Sequence, residues 1–150
     1  MRSARIVTVA LAAICVLVSG TAQAADPASG TLSKSKKSVK WSGTFVLSEP
    51  VNECLGPDDP ICDHFMLKID LKDGSRVRIV LPAPSPVTDI DFYVYAPNGA
   101  LVASSGNFPG EAESAEFRHS ARFNKKMYEV RVNPYLVPPG TSYTATASVR

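Results

Sequence analysis

The sequence predicts an all-β protein, about eight short strands folded into an antiparallel β-sandwich held by one disulfide. Three observations predict it. Apolar side chains recur with a period of two from Val39 onward, turn signals separate these runs at regular spacing, and no segment carries a convincing helical stripe. At 45% hydrophobic and 20% charged residues, the 150-residue chain has the proportions of a folded globular protein, which excludes wholesale disorder.

The strands follow in order. Trp41 to Leu47 is the first. Phe65, Leu67, Ile69 and Leu71 alternate with Met66, Lys68 and Asp70, the pattern of a half-buried strand. Asp73-Gly74 is a hairpin signal, after which Val77, Ile79 and Leu81 alternate with Arg76, Arg78 and Val80. The run Pro82-Ala83-Pro84-Ser85-Pro86 lacks the backbone donors of a central strand and reads as a connection or an edge. Ile90, Phe92 and Val94 then alternate with Asp91, Tyr93 and Tyr95, and Pro97-Asn98-Gly99 turns the chain into a short strand at Leu101 to Ser104. Gly106 to Gly110 reads as a loop and Ser114 to Phe117 as a strand. Tyr128, Val130 and Val132 mark another strand, and Tyr143, Ala145, Ala147 and Val149 the last. Ala121 to Met127 is the nearest approach to a helix, and it has no apolar stripe. One face of each strand is apolar, so two sheets packed face to face bury them best.

The first residues say where the protein goes. Arg2 and Arg5 precede an apolar stretch from Ile6 to Val18, Ser19-Gly20 breaks it, and Ala22-Gln23-Ala24 is a small-x-small cleavage site. Residues 1–24 therefore read as a signal peptide cut after Ala24, and the protein as secreted, extracellular or associated with the cell envelope. The stretch is shorter than the ~20 residues that span a bilayer, so no membrane span is expected. Cys15, inside that stretch and preceded by Ile14, lacks the setting of a lipoprotein cysteine. Residues 25–38, rich in Lys and Ser, read as a flexible tether, and 39–150 as the sandwich domain. The lysines Lys34, Lys36, Lys37 and Lys40 could alternatively form an arm that adheres to anionic cell-wall polymers.

Cleavage removes two arginines from 16 basic residues and leaves 14 against 14 acidic ones. A neutral chain is a poor nucleic-acid binder, because phosphates call for a dense positive surface. Cleavage also leaves two cysteines, Cys54 and Cys62, which in an oxidising compartment read as one disulfide closing the Pro-, Gly- and Asp-rich loop between them. Zinc is the rival reading, but His64 and His119 are the chain's only histidines and make a weak ligand set.

Several pieces together resemble a known family. Trp41-Ser42-Gly43-Thr44 opens a strand, and Cys54…Cys62-Asp63-x-Phe65 follows. Then come Asp89-Ile90-Asp91-Phe92-Tyr93-Val94-Tyr95-x-Pro97-x-Gly99, Ser104-Ser105-Gly106 and Tyr128-x-Val130-x-Val132. Their order and spacing, over residues 39–149, resemble the bacterial pre-peptidase C-terminal domain, related to the collagen-binding domains of bacterial collagenases. The resemblance implies a jelly-roll-like sandwich without catalytic activity that binds a matrix or substrate. It also implies calcium in some members, held partly by carboxylates before the first strand; here Asp26 is the one carboxylate between the cleavage site and Trp41.

Candidate chemistry is sparse, and no enzyme is expected. There is no Gly-x-Ser-x-Gly elbow, His119 sits between Arg118 and Arg122 with nothing to orient it, and His64 reads as a polar residue beside the disulfide. Asp89 and Asp91 sit on one strand face rather than across a cleft, so they make a poor glycosidase pair. Their other readings are backbone capping or a calcium site, and Asp58, Asp59 and Asp63 in the acidic loop, with Glu49 and Glu53, are a second calcium candidate. No other cofactor is expected. Tyr93 and Tyr95 share the face of Asp91, where flat rings could stack on sugar or proline-rich peptide, or simply pair across strands. Trp41 reads as core or edge packing. Two functions stay open. One is a secreted, non-catalytic module, monomeric, that recognises an extracellular protein or polysaccharide through Asp91, Tyr93 and Tyr95. The other is a peptidase inhibitor or regulator acting through loop 54–62, whose tied ends would spare entropy on docking.

Overall fold

The computed structural model describes residues 23–46, 54, 56, 59–124 and 126–150. Ten strands appear among them: β1 (Gln23–Asp26), β2 (Ser29–Ser33), β3 (Ser38–Phe45), β4 (Asp63–Asp70), β5 (Arg76–Leu81), β6 (Asp89–Tyr95), β7 (Leu101–Ser105), β8 (Glu113–Arg118), β9 (Met127–Leu136) and β10 (Thr141–Val149). They build two five-stranded sheets, in the orders β1-β3-β10-β5-β8 and β2-β4-β9-β6-β7.

All eight anticipated strands are present, because their alternation is a packing requirement. Phe65, Leu67 and Ile69 of β4, Phe92 and Val94 of β6, and Val130 and Val132 of β9 are wholly buried and face Trp41, Ile79, Ala145 and Ala147 of the other sheet. Trp41 stacks on Phe65 with ring centroids 4.0 Å apart, across the interface between the sheets. Counted from β3, the strands run first-eighth-third-sixth in one sheet and second-seventh-fourth-fifth in the other, the order of a jelly roll.

The expected tether is corrected at its first half. Residues 23–33 carry β1 and β2, each an edge strand of a different sheet, and β2 pairs with β4 in parallel, so that sheet is mixed. The physical reason is burial: Leu32 is fully enclosed and Ala25 is 4% exposed, and Gly30 leaves room for Val39 and Phe65 where any side chain would collide. β1 begins at Gln23, two residues ahead of the expected cleavage point; the signal stretch before it lies outside the described residues. The Ala121–Met127 stretch holds one 3-10 turn, Ala121–Phe123. Among the described residues no helix is long and apolar enough to cross a membrane.

Cys54 and Cys62 are bonded, with Cα atoms 5.9 Å apart and both side chains buried. The bridge anchors the loop directly ahead of β4.

Candidate functional site

Asp89 and Asp91, at the start of β6, line a cleft of about 580 Å³ together with Gly106, Asn107, Phe108, Glu111 and Tyr135. Local irregularity assembles it. Asp91 pairs with Asn133 on β9, whereas Asp89 pairs with Leu136, so β9 carries an extra residue at this point. That is a β-bulge, and it falls where Pro134 removes a ladder donor. The bulge is where Tyr135 joins the cleft.

The opposite wall is the loop after β7. Gly110 has φ +82°, and a Cβ there would press into the Pro86 backbone. This close approach lets the Gly110 N–H donate to the Thr88 carbonyl at 2.9 Å, tying the loop to the proline-rich connection before β6. Asn107 is fixed from both sides: its N–H donates to Glu113 Oε1 at 3.0 Å, and its side-chain amide donates to the Ala112 carbonyl at 2.9 Å.

Electrostatically the cleft lacks donors. Asp89 is 8% exposed, yet its Oδ1 has no hydrogen-bond partner in the protein, and Glu113, buried behind the cleft at 2% exposure, leaves its Oε2 unpartnered as well. Burial, then the charges of Asp89 and Glu113, push the Asp91 carboxyl up to about 6. Burial raises Asp89 as well. Two accessible rings line this acidic cleft: Phe108 is 80% exposed and Tyr135 is exposed too. Carboxylates that accept hydrogen bonds beside accessible rings suit a ligand bearing hydroxyls or a positive charge on an apolar frame.

Asp89 and Asp91 are therefore brought together, but Tyr93 and Tyr95 lie along the middle of the sheet, outside the cleft. The Tyr95 ring is covered by the Arg131 guanidinium, 4.1 Å from its centroid. Arg131 in turn donates to Glu129 Oε2 at 3.0 Å, while His64 Nδ1 meets Glu129 Oε1 at 2.8 Å and His64 Nε2 donates to the Asp59 carbonyl at 3.1 Å. Burial works against the Glu129 charge, but the hydrogen bonds from Arg131 and His64 hold its carboxyl below the usual range. The aromatic rings that border the acidic cleft are Phe108 and Tyr135. Pro134 inside a strand pattern was the signal for this corner; nothing in the sequence pointed to Phe108.

The acidic loop differs from its expected role. Asp63 turns into the core, 1% exposed, where Oδ1 accepts the Ala25 N–H at 2.6 Å and Oδ2 the Tyr143 O–H at 2.5 Å. Asp59 Oδ1 accepts the Ile61 N–H. Asp58, Glu49 and Glu53 lie outside the described residues, as do Leu55 and Pro57 of loop 54–62 on which an inhibitor would rely. Asp63 is thus committed to backbone and tyrosine. Among the described residues, no three His, Cys, Asp or Glu side chains are gathered to hold a metal ion. A hard cation at Asp89 and Asp91 would thus draw most of its six to eight oxygens from elsewhere.

His119 is a satisfied core histidine, 2% exposed, between the Tyr128 hydroxyl at 3.2 Å and Asn124 Oδ1 at 3.0 Å. Neither histidine joins a hydroxyl to a carboxylate.

No protein-family model and no curated protein matches the chain. Solved structures similar to it include the pre-peptidase C-terminal domain of a collagenase from Bacillus anthracis, 12% identical with a TM-score of 0.48, covering 81% of this chain and 94% of that one. A surface-associated copper-binding protein of Methylomicrobium album is 12% identical with a TM-score of 0.47, covering 81% and 96%. A β-1,3-glucan-binding module from Bacillus halodurans is 9% identical with a TM-score of 0.35, covering 76% and 84%.

Proposed function

We propose that the protein is a secreted, non-catalytic β-sandwich module that grips an extracellular polymer, protein or glycan, at the Asp89–Asp91 cleft. The observation that carries this reading is the unpartnered Asp89 Oδ1 in a cleft that also holds Asp91 and two exposed rings, Phe108 and Tyr135. A monomer needs only this one end of the sandwich to bind. Sugar hydroxyls or a basic side chain would supply the missing donors, and Phe108 and Tyr135 would cover the apolar part of the ligand. The test is retention on a panel of collagen, cell-wall preparations and neutral polysaccharides, with the Asp91→Asn and Tyr135→Ala variants alongside. Retention lost in both variants supports the reading; no retention on any member, or retention unchanged in both, removes it.

A second reading places calcium at Asp89 and Asp91, favoured by the same unpartnered oxygen. Millimolar calcium would then raise Tm, and the Asp89→Asn variant would lose the rise. An unchanged Tm ends that reading.

A further inference from the structure

At the other end of the sandwich the basic residues that look scattered in sequence converge. A groove of about 540 Å³ is lined by Lys34 and Lys37 before β3, Lys72 in the β4–β5 hairpin, Arg76 of β5, Arg118 of β8 and Arg150 beyond β10. No aspartate or glutamate side chain lines it. Arg76 makes one exposed ion pair with Glu116 at 3.5 Å, and among the described residues none of the other five cations is within salt-bridge reach of a carboxylate. Asp73, the acid nearest in sequence, is occupied with the Ala121 N–H at 2.7 Å.

The backbone beneath is fixed. The Val149 N–H donates to the Lys37 carbonyl at 2.9 Å and the Arg150 N–H to the Arg76 carbonyl at 3.0 Å. Gly74 and His119 close the hairpin onto the end of β8 through bonds of 2.9 and 2.8 Å. The floor is apolar, made by Leu71 and half-buried Val149.

We propose that this groove binds an acidic polysaccharide. Carboxylate or sulfate groups would meet the lysine and arginine rim, and the C–H face of a sugar ring would lie over Leu71 and Val149. Six cations on a cleft this large exceed what one small anion engages and suit a repeating one. Nucleic acid is disfavoured because no aromatic ring lines the groove, and single strands are held largely by stacking on such rings. The near balance of 16 basic and 14 acidic residues is no objection, since the acidic groups Asp89, Asp91 and Glu113 lie at the far end of the same sheets. Arg76 pairs with Arg118 at one end of the β5–β8 ladder and Leu81 with Glu113 at the other, about 17 Å away at ~3.4 Å per residue.

The experiment measures affinity of the full exported protein for polyuronate, heparin, single-stranded DNA and neutral dextran across salt concentrations. Wild type is compared with a Lys34→Ser/Lys37→Ser double variant and with Arg118→Ser. All three sites are exposed, so folding survives, and Lys68→Ser, an exposed lysine of β4 outside the groove, serves as the control. The expected result is salt-sensitive binding to an acidic glycan, weakened roughly tenfold in the double variant, reduced in Arg118→Ser and unchanged in Lys68→Ser. Absence of binding to either acidic glycan, equal binding by the double variant, or tighter binding of DNA through the same residues would each overturn the proposal.

Discussion

Asp91 is where the fold and the proposed binding surface meet. Its carboxyl titrates near 6, above the value of 3.8 it has when unfolded, because burial, Asp89 and Glu113 all oppose its charge. A group raised in this way favours the folded state fully below the unfolded value, and that contribution is lost as pH rises through about 6. Stability should therefore fall between pH 4 and pH 7, and Asp91→Asn should flatten the fall and gain about 1 kcal/mol at pH 7, after allowance for partial exposure. Chemical denaturation at several pH values checks this. Gly43 is a second telling residue. A Cβ there would strike the Asp63 carboxylate and come within 2.5 Å of the Tyr143 ring, so Gly43→Ala should cost about 1–3 kcal/mol, read as a lower denaturation midpoint. The sequence showed the Trp41-Ser42-Gly43-Thr44 and Cys62-Asp63-x-Phe65 pieces but not that they touch. Their meeting is long-range, set by β3, β4 and β10 lying where two sheets face one another.

The strands from β3 to β10 were readable because each must present alternate residues to one core, and alternation is local. β1 and β2 were not. Their composition is that of a linker, and they are strands only because two sheet edges elsewhere offer them unpaired ladders. Leu32 was the clue, a single large apolar residue among Ser, Gly, Thr and Lys, and it is wholly buried. Leu32→Ala should accordingly cost about 2–5 kcal/mol, as a core truncation does; a cost near zero would return the segment to the status of tether. Loop 54–62 depends on its bridge instead. With only seven residues between its cysteines, reduction should lower stability by roughly 2–3 kcal/mol through freed loop entropy, seen as a lower Tm in reductant.

Across the whole molecule 16 basic residues stand against 14 acidic ones, separated in place, basic at the β4–β5 hairpin end and acidic at the start of β6. Composition reports only the sum, so the neutrality read from sequence concealed both clefts. Tyr93 and Tyr95 stood out because strand alternation puts them on the face of Asp91, but alternation does not reveal that Arg131 covers Tyr95. Phe108 and Tyr135 come from a loop and a bulge, where no periodicity applies. The account centres on that corner, and the most direct measurement is an amide chemical-shift titration of the labelled protein, at pH 7.5, with whichever polymer retains it. The account predicts the largest shifts at Asp91, at residues 106–111 and at Tyr135, and their disappearance in Asp91→Asn. Shifts confined to the Tyr93–Tyr95 face, or to the residues flanking Cys62, would contradict it.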